Sequence, residues 1–243
     1  MSLSGLCDLH CHYVPRVDDG VQSVEDGLAL CRRLAQLGYS TVVATPHMRP
    51  GMFDNDKPLL MAAFAEFQSA CAGEAGLPEL GLAAEHFLDE VFMRRLAADE
   101  TLPYPGGHAV LVEFAPDRFP LRLDECLFRM QVRGLRPVIA HPERYAPLWQ
   151  EDEPLAHLVE RGALPLLDTM SLVGKYGRKP RLAAERLLEA GLYYAACSDT
   201  HKPEDVESLG EAIARLVALR GEPDAALLLS EHPRRILAGT VAD

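Results

Sequence analysis

The chain has 243 residues, 48% hydrophobic and 25% charged, a balance that fits a folded globular protein and excludes a disordered one. Lys and Arg total 24 against 36 Asp and Glu, a formal net charge of −12. So acidic a surface excludes nucleic acid and anionic lipid as general partners, and an anionic substrate would need locally placed cations. No apolar run reaches the roughly 18–20 residues of a membrane span. The start, Met-Ser-Leu-Ser-Gly-Leu-Cys-Asp, lacks the basic and apolar segments of an export signal. The six cysteines, at 7, 11, 31, 71, 126 and 197, form no CxxC pair and read as small, buried, reduced thiols. We therefore expect a cytoplasmic protein with no membrane insertion.

In chain order, short β-like runs alternate with longer helical ones. A strand over 3–9 runs into His10-Cys11-His12. A helix over 23–37 follows, with apolar residues at 24, 28, 30, 31, 34 and 37, Ser23 and Asp26 as an N-cap box, and Gly38 at the C′ position. The strand over 40–45 ends at Thr45-Pro46-His47 and precedes a helix over 56–75. The strand over 80–84 ends at Glu85-His86 and precedes a helix over 88–98. The strand over 109–114 carries Glu113 and precedes a helix over 121–133. The strand over 136–140 ends at His141-Pro142-Glu143-Arg144, ahead of a helix over 153–161. Strand 163–168 leads to helix 180–190, and strand 192–197 to Ser198-Asp199-Thr200-His201. Helices over 203–220 and 224–237 complete the chain.

Several strands are continuous apolar runs, the mark of a parallel sheet buried on both faces. Strand–helix alternation along the whole chain, without linker or repeat, predicts an α/β fold in a single domain over 1–243. Seven such units suit a barrel better than an open sheet.

Parallel strands place their C-terminal ends on one face, so these polar residues converge at one mouth. Alternate residues of an extended chain point the same way; His10 and His12 can grip one ion, and Asp199 and His201 repeat the spacing. Gathering such groups without a metal would leave unpaired polar atoms and repelling carboxylates. The imidazole and carboxylate set suits Mn, Fe or Zn. His86, next to Glu85, points the other way and reads as structural. His108, His157 and His232 read as non-functional, and Glu143 is given no role. No cysteine has Arg six positions on: the residues there are Tyr13, Val17, Leu37, Leu77, Val132 and Pro203. A cysteine-based phosphatase is thereby excluded. GxxxxGK and GxGxxG are absent too.

The matching stretches are Asp-Leu-His-Cys-His-Tyr-Val-Pro-Arg-Val-Asp-Asp-Gly (8–20), Val-Ala-Thr-Pro-His (43–47), Gly-Met-Phe (51–53) and Ala-Glu-His-Phe-Leu-Asp-Glu (84–90). Leu-Val-Glu-Phe (111–114), Ala-His-Pro-Glu-Arg-Tyr (140–145), Ser-Leu-Val-Gly-Lys-Tyr-Gly (171–177), Cys-Ser-Asp-Thr-His (197–201) and His-Pro-Arg-Arg-Ile-Leu (232–237) continue the series. Together they resemble the polymerase-and-histidinol-phosphatase (PHP) superfamily, and within it the capsule- and exopolysaccharide-operon protein-tyrosine phosphatases of the CpsB/YwqE type.

The resemblance implies a distorted seven-stranded (β/α) TIM-like barrel of the PHP type, holding three divalent metal ions. It assigns His10, His12, Glu85 and Asp199 to one ion, Glu85, Glu113 and His141 to a second, and Asp19, His47 and His201 to a third. Four carboxylates against three divalent ions leave a formal +2, enough to receive a phosphate dianion. The implied reaction is in-line attack of metal-bound hydroxide on phosphotyrosine, with no covalent intermediate. Arg144 would hold the phosphate, and Asp19 or a metal-bound water would supply any proton. Relatives often have a second His after Thr-Pro-His, where this chain has Met48. Many have an arginine after Ser-Asp-x-His, where this chain has Lys202-Pro-Glu-Asp-Val-Glu-Ser, leaving Lys202 or Arg49 to replace it. Asp18 is an alternative to Asp19 as ligand, and Asp168-Thr-Met departs from the relatives' Asn-containing segment. The implied partner is the phosphorylated tail of a bacterial tyrosine kinase of polysaccharide synthesis. The alternatives are a small-molecule phosphomonoesterase, such as a histidinol-phosphate phosphatase, and a non-catalytic phosphotyrosine-binding regulator.

Overall fold

The computed structural model describes residues 3–241, so the first two and last two residues of the domain expected over 1–243 lie outside the described residues. Among these residues the strands are β1 (Leu6–Cys11), β2 (Tyr39–Ala44), β3 (His47–Met48), β4 (Glu79–Leu82), β5 (Glu85–Phe87), β6 (Ala109–Glu113), β7 (Arg136–Ala140), β8 (Leu164–Asp168) and β9 (Ala195–Cys197). The helices are α1 (Val24–Gln36), α2 (Lys57–Ala70), α3 (Glu90–Ala97), α4 (Leu123–Val132), α5 (Glu153–Glu160), α6 (Arg178–Glu189), α7 (Asp205–Ala226) and α8 (His232–Ala238). None of the helices is long and apolar enough to cross a membrane.

All strand pairs are parallel and fall into two sheets, β1-β2-β4 and β3-β5-β6-β7-β8-β9. The sheets are consistent with a TIM-like barrel. The outer edge of β1 meets the end of β9 through the bridge Cys11–Thr200 and the bonds from Asp199 N to His10 O (2.8 Å) and His12 N to Thr200 O (2.9 Å). The strands expected over 40–45 and 80–84 end earlier than read, at Ala44 and Leu82, and each is followed by a second one. The chain turns at Thr45-Pro46 and at Ala83-Ala84, and the continuations β3 and β5 pair with each other in the second sheet. Proline cannot donate a ladder hydrogen bond, which accounts for the first break.

Both faces of most strands are buried, as the apolar runs predicted, while β4 is partly exposed. Cys7, Leu9, Leu111, Val138, Ala140, Leu164, Leu166, Ala195 and Cys197 pack together on the inner face. Their neighbours Leu6, Val110, Val112, Ile139, Leu167 and Ala196 pack outward with the helices. This alternation places Glu113 on the inner face, in step with Ala109 and Leu111.

The helix signals were legible. Ser23 Oγ accepts from Asp26 N at 3.1 Å, and Gly38 sits at φ +109°. Asp56 and Asp89 cap α2 and α3 in the same way. Helix α2 ends at Ala70 rather than at 75, since Gly73 and Gly76 adopt positive φ. Helix α7 is broken at Gly221 (φ 82°, ψ 161°), between the two helices expected there. A wide helical turn, Leu227–Glu231, then leads into α8.

Candidate metal centre

Cys7 and Leu9 face the interior, so strict alternation would send Cys11 inward after them. It does not. Asp8 pairs with Val42 and Cys11 with Ala44, so three steps of β1 face two of β2. This bulge changes the facing side of the strand. Cys11 turns outward, and His10 and His12 turn into the mouth, both buried.

Around them the other strand ends close in. His10 Nε2 lies 3.1 Å from Glu85 Oε2 and 3.2 Å from Asp199 Oδ1. His12 Nε2 lies 3.3 Å from the same Asp199 oxygen. His47 Nδ1 is 3.0 Å from Glu85 and 3.5 Å from Glu113, and its Nε2 is 3.5 Å from Asp19. His141 Nε2 is 2.9 Å from Glu85 Oε1. His201 Nε2 is 3.5 Å from Asp19. The structure therefore brings all nine expected ligands together. Their donor atoms form four overlapping groups within 4.8 Å: His12, Asp19, His47 and His201; His10, His12 and Glu85; His10, His141 and Asp199; His47, Glu85 and Glu113. Of the expected second set, Glu85 meets His141 directly, while Glu113 comes closest to His47.

The backbone is distorted where these residues sit. His141 (φ 33°) and Asp199 (φ 47°) both adopt the left-handed region, which costs a non-glycine residue about 1 kcal/mol or more.

The donor set fits divalent ions. His12 Nε2, Glu113 Oε1 and Asp199 Oδ1 are buried with no hydrogen-bond partner, a costly arrangement unless something else satisfies them. Electrostatics agree. Burial alone would lower His10, but Glu85 and Asp199 outweigh it and raise the imidazole. Burial would likewise lower His47, yet Glu85 and Glu113 lift it to about 9. Burial would raise Glu85 and Asp199, but His10 and its neighbours hold both well below the carboxylate range. Protons on these imidazoles thus stand where divalent cations would stand.

Asp18 and Asp19 separate cleanly. The Asp19 side chain is 58% exposed and faces His47 and His201. Asp18 is turned away from the donor groups: its carboxylate accepts from His12 Nδ1 at 2.7 Å, from Gly20 N at 2.9 Å and from His47 N at 3.1 Å. Burial opposes its charge, but His12 draws it down to about 2. With Nδ1 donating to Asp18, His12 presents Nε2 to the cluster.

Arg144 borders the ligands. Its Nη2 contacts both Asp168 and Asp199, its guanidinium lies 3.8 Å over the Tyr176 ring, and its Nε is buried without a partner. Burial opposes the charge, but Asp199 and Asp168 secure it. Arg49 lies 4.4 Å over the Phe87 ring, with Nη1 3.8 Å from Glu113. Lys202 is exposed, and its side chain joins none of the ion pairs among the described residues.

Asp168 and the 171–177 stretch stand out in the sequence, but sequence reasoning gives Asp168, Tyr176 and Lys175 no role. Asp168 ends β8 as other acidic residues end other strands, a signal that was available. Lys175 pairs with Asp205 at 3.1 Å, and Asp205 accepts from His201 N at 3.0 Å. His86 is structural: its Nε2 accepts from Leu102 N at 3.2 Å, and burial pushes the imidazole down to about 3. His108 is exposed, His157 pairs with Asp124 on the surface, and His232 stacks on Tyr194.

Known proteins resemble this chain along most of its length. A profile of the family "Capsular polysaccharide synthesis, CpsB/CapC" matches residues 6–238. The tyrosine-protein phosphatase YwqE of Bacillus subtilis is 31% identical over 198 residues, covering 81% of this chain and 77% of its own. The tyrosine-protein phosphatase CpsB of Streptococcus pneumoniae is 26% identical over 241 residues, covering 96% of this chain and 98% of its own. A chain from the crystal structures of those two proteins, described as unique metal-dependent tyrosine phosphatases, superposes with a TM-score of 0.89 at 27% identity, over 98% of this chain and 96% of that one.

Proposed function

The chain belongs to the CpsB/CapC family of capsular polysaccharide synthesis, and on that premise we propose that it is a metal-dependent protein-tyrosine phosphatase whose site is the mouth just described. We read its two sheets as one distorted seven-stave barrel, β2 and β3 sharing one stave and β4 and β5 another, and the chain as a single domain. The observation that carries the functional reading is the convergence of nine nitrogen and oxygen ligands from six strand ends and the loop that carries Asp19, with buried donor atoms among them that nothing else satisfies.

In this reading three ions are held: one by His10, His12, Glu85 and Asp199, one by Glu85, Glu113 and His141, and one by Asp19, His47 and His201. Bound divalent ions supply Lewis acidity toward phosphoryl oxygens, a lowered pKa for water and stabilisation of the leaving oxygen. The protein's own residues supply the rest. Arg144, braced by two carboxylates and an aromatic ring, is the guanidinium placed beside the ligands to receive a phosphoryl oxygen. Arg49 is a second cation at the rim and Lys202 an exposed third. Asp19 is held below its usual range, chiefly by its hydrogen bond with His201, and is ionised at neutral pH. It serves as a ligand and can take a proton at its exposed oxygen. A phenol leaves with a pKa near ~10 and needs little protonation.

The physiological substrate in this reading is the phosphotyrosine tail of a kinase that controls polysaccharide export, in the cytoplasm. The reducing compartment is supported by six free cysteines. The test is phosphate release from a phosphotyrosyl peptide and from histidinol phosphate, with Mn2+ and with chelator. We expect release from the peptide to exceed that from histidinol phosphate, to stop in chelator and to be lost in His10→Ala. Full activity in chelator, or preference for histidinol phosphate, would overturn the reading.

A further inference from the structure

Glu143 lies between His141 and Arg144 on the turn that follows β7, yet its side chain points away from the donor groups. It is fully buried. Its Oε1 accepts from Asp168 N at 3.1 Å and from Ser171 Oγ at 2.9 Å. Its Oε2 accepts from Tyr193 OH at 3.0 Å. Its backbone carbonyl accepts from Trp149 Nε1 at 3.2 Å. One carboxylate thus ties the turn after β7 to the turn after β8 and to the segment entering β9.

Two of these ties bear on Arg144. Glu143 precedes it in the chain and fixes the turn from which its side chain leaves. Glu143 also holds the backbone of Asp168, whose carboxylate anchors the Arg144 guanidinium. Asp168 is the last residue of β8, paired with Cys197 of β9, and its carboxylate is occupied by Arg144 and by Met170 N at 2.9 Å; Glu143 adds the hydrogen bond to its amide. Tyr176, under the guanidinium, lies on the same β8 turn that Ser171 joins to Glu143. An arginine on a flexible stem reaches a phosphate with useful geometry only when its anchors are fixed, since displacement of about 1 Å can cost a hundredfold in rate.

We infer that Glu143 is the positioning residue for Arg144, aiming the guanidinium's free edge at the substrate phosphate through Asp168 and the Tyr176 turn. This rests on the reading of Arg144 as a phosphate-binding group. It makes Glu143 neither a metal ligand nor a group that touches substrate.

The test is a double-mutant cycle on the Mn2+-loaded protein, read as KM and kcat for a phosphotyrosyl peptide and as inhibition by inorganic phosphate. Ion content and thermal melting are measured alongside. We expect Glu143→Ala to raise KM and weaken phosphate inhibition about tenfold, and Glu143→Gln to restore most of both. In an Arg144→Ala background, Glu143→Ala should change either quantity less than twofold. Tyr193→Phe removes one hydroxyl and no backbone anchor; it should reproduce part of the effect on KM with ion content unchanged, which keeps the test open if Glu143→Ala does not fold. Equal losses from Glu143→Ala (or, if that variant does not fold, Tyr193→Phe) with and without Arg144 would overturn the positioning role while leaving the Arg144 reading intact. Unchanged KM and phosphate inhibition in Arg144→Ala itself would overturn both.

Discussion

Replacing Asp18 with asparagine tests whether a residue outside the ligand set governs ion binding. The Asp18 carboxylate accepts three hydrogen bonds, from His12 Nδ1, Gly20 N and His47 N. Asparagine has one oxygen and one donor in their place. If its oxygen takes the position of Oδ2, its NH2 faces the Gly20 N–H; if its NH2 takes that position, it faces the His47 N–H. Either way a buried N–H loses its acceptor, at about 1–3 kcal/mol of stability. In the second arrangement His12 Nδ1 becomes an acceptor, and the proton moves to Nε2, the atom facing Asp199. Loss of such an orienting partner costs roughly 10–100-fold in metal affinity, or about 1.4–2.8 kcal/mol. The assay is the Mn2+ concentration giving half-maximal phosphate release, together with chelator competition on the ion-free protein. We expect the half-saturation point of Asp18→Asn to rise at least tenfold, with much of the maximal rate recovered at high Mn2+. A half-saturation point within twofold of the wild type would refute the role of the Asp18 carboxylate in orienting His12 for the ion.

Three further outcomes follow from the same geometry. His47 is raised from its ordinary value to about 9 by Glu85 and Glu113. Its pairing therefore stabilises the ion-free protein fully below pH ~6.5 and is lost as pH rises through about 9. Denaturant melts in chelator should show stability falling over that range, and calorimetry near pH 7.5 should show proton release on Mn2+ uptake as a heat that depends on the buffer; a buffer-independent heat contradicts this. Gly20→Ala places a Cβ 2.3 Å from the His12 carbonyl oxygen and 2.5 Å from its Cβ. We expect a loss of about 1–3 kcal/mol and weakened ion binding, measured by melting and chelator competition. His86→Leu should separate stability from function: it strands the Leu102 N–H, at about 1–3 kcal/mol, yet leaves the half-saturating Mn2+ concentration unchanged.

Much of this arrangement is legible in the sequence because strand ends carry it. Apolar runs that stop at His, Glu or Asp announce both a parallel sheet and the mouth where the ends gather. Ser23, Gly38 and the break near Gly221 announce their helix boundaries through local chemistry. What escaped detection depends on contacts between distant segments. The bulge between Asp8 and Cys11 is a matter of register against β2, and no residue type marks it. Asp18 and Asp19 are chemically equivalent neighbours; only the folded turn gives one to the back of His12 and the other to the open side. Glu143 reads as a turn residue until Ser171 and Tyr193, 28 and 50 residues away, are placed against it.

The same carboxylates explain how an acidic chain can build this mouth before any ion arrives. Glu85 touches His10, His47 and His141, and Asp199 touches His10, His12 and Arg144. Without ions, raised imidazoles supply the countercharge, so the buried acids do not repel one another apart and the left-handed turns at His141 and Asp199 are held by pairing. On the proposed function, ion binding would exchange protons for divalent charge at positions already set. The exchange leaves Arg144 in place, since its anchors include Asp168, which is absent from all four donor groups. Arg144 would thus stay at the mouth whether the ions are present or not, its charge balanced by Asp168 and Asp199, and the ions would supply the excess positive charge that a phosphate dianion needs.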